Sequence, residues 1–194
     1  MARTVAVLFV KDSKHTSWLG HMPIMKWSLT QLQEVRGIDR IVCVTSQVLS
    51  SAVRKLLSED IEVRVLPKAL EKASDSELDT WFTSVEGPAA DAEVVLVSLC
   101  SSPFLTSGKI EACVAAVRRK KCTHAMPARP VVVAGIRKAV EVQERVNSVR
   151  VFRPHVEEDQ RKIGTVPVAL IESLDVTCPD EYVLVDALVA SNKV

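Results

Sequence analysis

Unbroken apolar runs rich in valine, leucine and isoleucine recur at 4–10, 40–45, 61–66 and 93–99, and the segments between them carry apolar residues at helical spacing. A short continuous apolar run fits a strand buried on both faces. Such runs alternating with helical segments predict parallel strands joined by crossover helices. After Pro23, the residues Ile24, Trp27, Ser28 and Leu32 repeat at helical intervals, and a proline suits the first helical turn. Residues 48–57 predict the next helix, which passes through Ser58, Glu59 and Asp60 into the strand at 61–66. Asp75 or Ser76 is placed to cap the helix that follows, and Ser107 to cap the segment GKIEACVAAVRRKK.

From about residue 123 the texture changes. Valine pairs mixed with charge predict short strands, a hairpin and a projecting element within about 127–160. The segment VPVALIESLDV reads as a strand. A last helix follows, with Thr177 or Cys178 near its cap and Pro179 in its first turn. No internal repeat or low-complexity segment interrupts the pattern.

Composition narrows the class. A chain of 194 residues with 47% apolar content supports one well-buried core, so the expectation is a single domain over 1–194. The balance of 25 basic and 24 acidic residues gives no strong overall field, which argues against nucleic acid as a partner. The dense basic run RRKK at 118–121 closes an amphipathic helix, where cations complement the helix C-terminus. Five cysteines show no metal-ligand spacing, and Cys43 and Cys100 sit in apolar runs as core residues. The N-terminus reads as a first strand rather than a signal peptide, and no apolar run is long enough to cross a bilayer, so the expected setting is cytoplasmic, with no membrane partner.

In an open α/β sheet the loop leaving the first strand is where a nucleotide's phosphates sit. Here that loop is KDSKHTSWLG, which offers Lys11, Ser13, Lys14 and His15 as a charged clamp or, equally, as a solvated surface. Ser101 and Ser102 follow the strand at 93–99 and suit either ribose and phosphate or the cap of the next helix. Asp75 and Ser76 suit a plain N-cap, and Asp175 a turn or cap, with Glu172 and Asp180 as nearby carboxylates. Trp18, Trp27 and Trp81 are expected in the core, with Trp18 also placed to cover a base. No G-x-S-x-G elbow accompanies the scattered histidines His21, His124 and His155, which excludes the familiar hydrolase triad.

Four segments in order, GHMPIMKWSLTQLQEVRGIDRIVCVTSQ, SDSELDTWFTSV, VVLVSLCSSPFLTSGKI and ALIESLDVTCPDEYVLVDALVAS, resemble the cytidylyltransferases that activate acidic sugars, the acylneuraminate and deoxyoctulosonate CMP-transferases. The resemblance implies a Rossmann-like three-layer α/β/α nucleotidyltransferase of the glycosyltransferase-A type with a mostly parallel sheet. It also implies CTP and an acidic sugar as substrates, Mg2+ as cofactor, and a homodimer formed near 127–160. By the same resemblance Lys14 and Asp175 carry the chemistry, with Asp175 on magnesium. Lys11, Ser13, Lys14, His15, Asp75, Ser76, Ser101 and Ser102 would line the nucleotide site. The chain departs from the pattern at Val10, which stands where the family has an arginine, and at His15, which replaces a cation. Lys11 and Asp12 replace small residues, and Thr177 replaces a second aspartate. These departures imply an alternative: a catalytically impaired homologue retained as a nucleotide- or sugar-binding or regulatory partner.

Overall fold

Seven successive buried residues make β1 (Thr4–Val10) the spine of the sheet. In a strand, alternate side chains point to opposite faces. Val5, Val7 and Phe9 accordingly enter one core, while Ala6, Leu8 and Val10 enter the other. The computed structural model describes residues 3–134, 139–146 and 148–191. After β1 come β2 (Trp18–Leu19), β3 (Met22–Pro23), α1 (Ile24–Glu34), β4 (Arg40–Thr45), α2 (Ser50–Leu56), β5 (Glu62–Val65), α3 (Asp75–Thr83), β6 (Val94–Ser98) and α4 (Ser107–Arg118). The chain ends with β7 (His124–Ala134), β8 (Ala139–Arg145), β9 (Val149–Phe152), β10 (Ile163–Pro167) and α5 (Pro179–Ala190).

The large sheet runs in the order β5-β4-β1-β6-β9-β7-β10, with β8 paired to β7. The β5-β4-β1-β6 half is parallel, as expected. The whole is not mostly parallel, however. β9 runs antiparallel to β6 and β7, β8 runs antiparallel to β7, and β10 returns parallel to β7. The reason lies in the connections: β7, β8 and β9 follow one another without a crossover helix, and only a crossover lets adjacent strands run the same way. Part of the expected projecting element, 135–138, lies outside the described residues.

One core packs α1 and α4 on one face of the sheet; the other packs α3 on the opposite face. A third, smaller cluster joins Leu19, Ile24, Leu174, Val176 and Val185, so that α5 lies over the β2–β3 hairpin. Gly20, at φ +61, makes this possible, because a Cβ there would meet Val189 Cγ1 at 2.2 Å.

Several local expectations are corrected. Ser74, not Asp75 or Ser76, caps α3, and with Glu77 it forms a reciprocal capping box. The N-cap of α4 is Thr106, while the Ser107 amide donates to Gln31 Oε1 at 2.8 Å. Only Arg118 of the RRKK run is helical, since the chain turns at Lys120, which has φ +56. The strand expected across 166–176 stops at Pro167. Beyond it a 3-10 turn over Ile171–Ser173 brings Glu172 inward to accept from Thr106 Oγ1 (2.8 Å) and the Ala169 amide (2.9 Å). Trp18 is 63% exposed rather than in the core.

Candidate functional site

β1 has β4 on one side and β6 on the other, and the chain visits the two sides at different times. The loops leaving β1 and β6 both lead to helices on the same face, α1 and α4, so they lie side by side at the carboxyl ends of these strands, the end of an open α/β sheet where ligands bind. Cys100, just past β6, is held at φ +60, a strained value for a residue with a Cβ, and such strain collects at functional sites.

The first loop folds on itself. After exposed Lys11, the Asp12 carboxylate accepts from the Lys14 amide at 2.8 Å and caps a 3-10 turn over Ser13–Thr16. The His15 amide donates to the Asp12 carbonyl, the Ser17 amide to the Lys14 carbonyl, and Thr16 Oγ1 to the Ser13 carbonyl. The amides of Lys14, His15 and Ser17, which could face an anion, are thus engaged within the loop. The Lys14 amide, more than any other group, holds the Asp12 carboxyl below its usual range. Burial opposes this as the next largest effect, and the His15 and Lys14 charges and Ser13 add smaller lowerings.

The His15 side chain is 4% exposed, and neither ring nitrogen has a hydrogen-bond partner among the described residues. Burial lowers its pKa, outweighing the Asp12 and Asp175 charges that favour the imidazolium, while Lys14 reinforces the lowering. Its ring is therefore neutral at pH 7. Lys14 remains exposed, and its Nζ reaches the Thr177 carbonyl at 3.5 Å, 163 residues along the chain.

Asp175 occupies the turn before α5. Its Oδ1 accepts from the Thr177 amide (2.7 Å) and Thr177 Oγ1 (2.6 Å), while its own amide donates to Glu181 Oε2 (2.6 Å). Thr177 thus holds Asp175 through both its amide and its hydroxyl. The Val176 amide donates to the Ser101 carbonyl at 2.8 Å, which ties this turn to the loop after β6. Ser101 and Ser102 are each 6% exposed. Ser102 Oγ has no partner and lines a small internal cavity with Ser28, Gln31, Ser98 and Ser148.

Magnesium is held by one or two carboxylates together with water and substrate phosphates. Among the described residues no group of three or more His, Cys, Asp and Glu side chains is placed to hold a metal ion. Glu172 is committed inside the protein, and Glu181 is engaged by the Asp175 amide and Arg129. The described residues thus form no preformed protein cage for magnesium, while Asp175, unlike Glu172 and Glu181, is engaged within its own turn by Thr177.

The expected site residues are not gathered in one pocket. Lys11 lines a cleft of about 260 Å3 with Phe9, Ser46, Leu66 and Glu71 at the carboxyl ends of β1, β4 and β5. Lys14 lines a second cleft of about 250 Å3 with Ser17, Val176, Pro179 and Tyr182. Asp75 and Ser76 line a third, with Arg150. Tyr182 and Glu181 were missed by sequence reading, because nothing in a helical sequence tells which face meets a loop far away in the chain. The buried cysteines behave as core residues; burial pushes the Cys43 thiol up to about 12 and Cys100 well above its usual value.

No family model matches the chain, and no curated protein sequence matches it significantly. Solved structures do match. CMP:2-keto-3-deoxy-manno-octonic acid synthetase complexed with CTP superimposes with a TM-score of 0.70 at 14% identity, over 98% of this chain and 99% of that one. A 4-diphosphocytidyl-2C-methyl-D-erythritol synthase from Anaerococcus prevotii DSM 20548 gives 0.66 at 13% identity, over 97% and 99%. The homologue of Mycobacterium tuberculosis rv0371c from Mycobacterium sp. strain JC1 gives 0.66 at 15%, over 98% of each chain. Nearly the whole chain therefore has the fold of the cytidylyltransferases, in a divergent sequence.

Proposed function

We propose that this chain is a CTP-dependent nucleotidyltransferase that transfers CMP to an acidic sugar and releases pyrophosphate, acting as a cytoplasmic homodimer paired near 127–160. The single observation that carries this reading is the meeting of Lys14 with the Asp175–Thr177 turn across 163 residues, beside the loop after β6. In this reading a sugar hydroxyl oxygen gives up its proton to solvent and forms a bond to the α-phosphorus of CTP, the bond from that phosphorus to the bridging oxygen breaks, and the pair of electrons leaves with pyrophosphate. The Lys14 ammonium offsets charge on the triphosphate, and the Asp175 carboxylate is the group that would anchor Mg2+, whose chemistry is to neutralise phosphate charge as the leaving group departs. Lys11 faces a neighbouring cleft at the same end of the sheet, suited to another part of the nucleotide.

A second reading is favoured by Asp12. Its carboxylate occupies the Lys14 amide, and Asp175 Oδ1 is held by Thr177, so both groups are satisfied internally. A homologue that binds nucleotide or sugar without turnover fits those contacts.

The test is calorimetric titration with CTP and Mg2+, followed by incubation with N-acetylneuraminate and deoxyoctulosonate and detection of CMP-sugar and pyrophosphate. Binding with product supports the transferase, and Lys14→Ala then weakens CTP binding about tenfold, the worth of a charge-assisted contact. Binding without product selects the second reading. No CTP binding at about millimolar concentration, a free energy of roughly −4 kcal/mol, ends the transferase reading.

A further inference from the structure

Along α3 and the strands β9, β7 and β10 lies a groove of about 510 Å3, larger than either cleft around Lys11 and Lys14 and sharing no lining residue with them. Strand pairing explains its position. Residues directly opposite on paired strands share a face. Arg150 lies opposite Val97, Phe152 opposite Val95, and His124 opposite Phe152, while Val95 and Val97 belong to the core beneath α3. This face of the sheet therefore continues past α3 as Arg150, Phe152, His124 and Ile163, with Ile163 44% exposed. Its middle is aromatic: the His124 and Phe152 rings stack with centroids 5.9 Å apart and planes 15° from parallel.

The charges around it do not cancel. The Arg150 side chain is 12% exposed and gives Nε and Nη2 to Asp79 at 2.7 to 3.0 Å. Its Nη1 is buried with no hydrogen-bond partner among the described residues and forms only a looser ion pair with Asp75 at 3.6 Å. Arg153 directs Nε and Nη2 to the carbonyls of Val117 and Arg118, the end of α4, and forms no ion pair among the described residues. Arg161 is exposed and forms none among them either. Three guanidiniums thus stand against the two carboxylates Asp75 and Asp79. His155, which also lines the groove, is held at φ +58, a conformation that costs about 1 kcal/mol or more for a residue with a Cβ and that tends to persist at functional positions. A structural ion pair accounts for Arg150 with Asp79. It does not account for Nη1, which has an ion pair with Asp75 at 3.6 Å but no hydrogen bond among the described residues, or for the excess positive charge beside the His124–Phe152 stack.

We propose that this groove binds a small organic anion, its carboxylate or phosphate head drawn to Arg150 Nη1, Arg153 and Arg161, and its ring or apolar body resting on Phe152, His124 and Ile163. A pocket with an apolar floor and a few converging polar groups is the usual form of a small-molecule site. The proposal does not depend on Lys14 or Asp175, because the groove shares no residue with the clefts around Lys11 and Lys14; of the residues that the resemblance assigns to the nucleotide, Asp75 and Ser76 line it.

The experiment is an NMR titration of the full-length, 15N-labelled chain with phenyl phosphate, benzoate and inorganic phosphate in separate arms. Saturable shifts in the amides of residues 76–84 and 150–163, with an affinity near or below about 1 mM, are expected for one or both aromatic anions, and weaker binding for inorganic phosphate. Preference for phenyl phosphate or benzoate assigns the head group. Arg161→Gln, a surface change that leaves the melting curve alone, is expected to weaken binding about fivefold, the effect of losing one charge-assisted contact. Arg153→Lys, which keeps the charge but not the fork, is expected to retain part of the affinity. The proposal is overturned by unsaturated shifts for every probe up to about 10 mM, by saturable shifts confined to 11–17 and 175–182, or by an Arg161→Gln chain that binds as tightly as the original.

Discussion

The Asp12 carboxylate lies 2.8 Å from the Lys14 amide nitrogen, so the first loop of the sheet already holds an anion of its own making. Free N–H groups in such a loop would form a concave seat for phosphate. The contact makes Asp12 a competitor for any nucleotide that approaches Lys14.

Asp12→Ala is therefore expected to tighten binding of CTP or pyrophosphate severalfold, while costing up to about 1 kcal/mol of stability through the lost cap. Asp12→Asn, which keeps a capping oxygen but no charge, is expected to fall between. Calorimetry on the three chains decides it; equal affinities would remove Asp12 from the account.

Burial lowers the pKa of both His15 and His124, more than any nearby charge alters it. The unfolded chain then takes up protons near pH 6.5 that the folded chain refuses. The stability these histidines contribute is complete above about pH 6.5 and is lost as pH falls toward their lowered folded values, by at most about 1.4 kcal/mol per pH unit for each. Urea unfolding between about pH 7.5 and 5.5 is expected to show falling midpoints, with a shallower fall for His15→Leu. An unchanged slope would place the His15 ring in contact with water.

Gly20 sits at φ +61, with Val189 Cγ1 2.2 Å from the position a Cβ would take. Gly20→Ala is expected to cost about 2 kcal/mol or more, from the left-handed backbone together with the clash, and to loosen α5 over the β2–β3 hairpin. Adding Val189→Ala relieves the clash but not the backbone, so the double variant should recover only part of the loss in a denaturant melt. Full recovery would show that backbone conformation is not limiting.

Asp79 is pinned by two Arg150 nitrogens, yet burial still raises its pKa, exceeding the lowering by Arg150. Because neither side chain is fully out of water, the pair contributes less than an isolated buried one. Asp79→Asn leaves Arg150 half-paired in the interior and is expected to cost about 2 to 3 kcal/mol, whereas Asp79→Leu with Arg150→Met should cost less than the single change. A double-mutant cycle with no coupling would reduce the pair to surface decoration.

Much of the sheet was legible in the residues. The runs at 4–10, 40–45, 61–66 and 93–99 correspond to β1, β4, β5 and β6; in β1 and β6 burial on both faces excludes charged side chains, whereas the edge strand β5, with exposed Glu62 and half-buried Arg64, is marked by its β-branched residues. Pro23 marked the start of α1 equally well. The capping box of Ser74 and Glu77 was also present in the spelling S-D-S-E, but it competes with two other capping residues one and two positions on. Direction was less legible: β8 and β9 are antiparallel because of how β7 is followed, and strand periodicity carries no sign of direction.

The amino-acid sequence alone determined which segments could be buried, and with them the parallel half of the sheet and its carboxyl edge, since hydrophobic periodicity is set by neighbours three or four residues away. Only the tertiary structure decided which polar groups remain available there. Asp12 closing on Lys14, His15 turning inward, Thr177 holding Asp175 and Arg150 meeting Asp79 all depend on where the folded chain places a donor relative to an acceptor. A charged residue has the same letter whether its partner is water, a ligand or its own backbone, and the partner is what determines its chemistry.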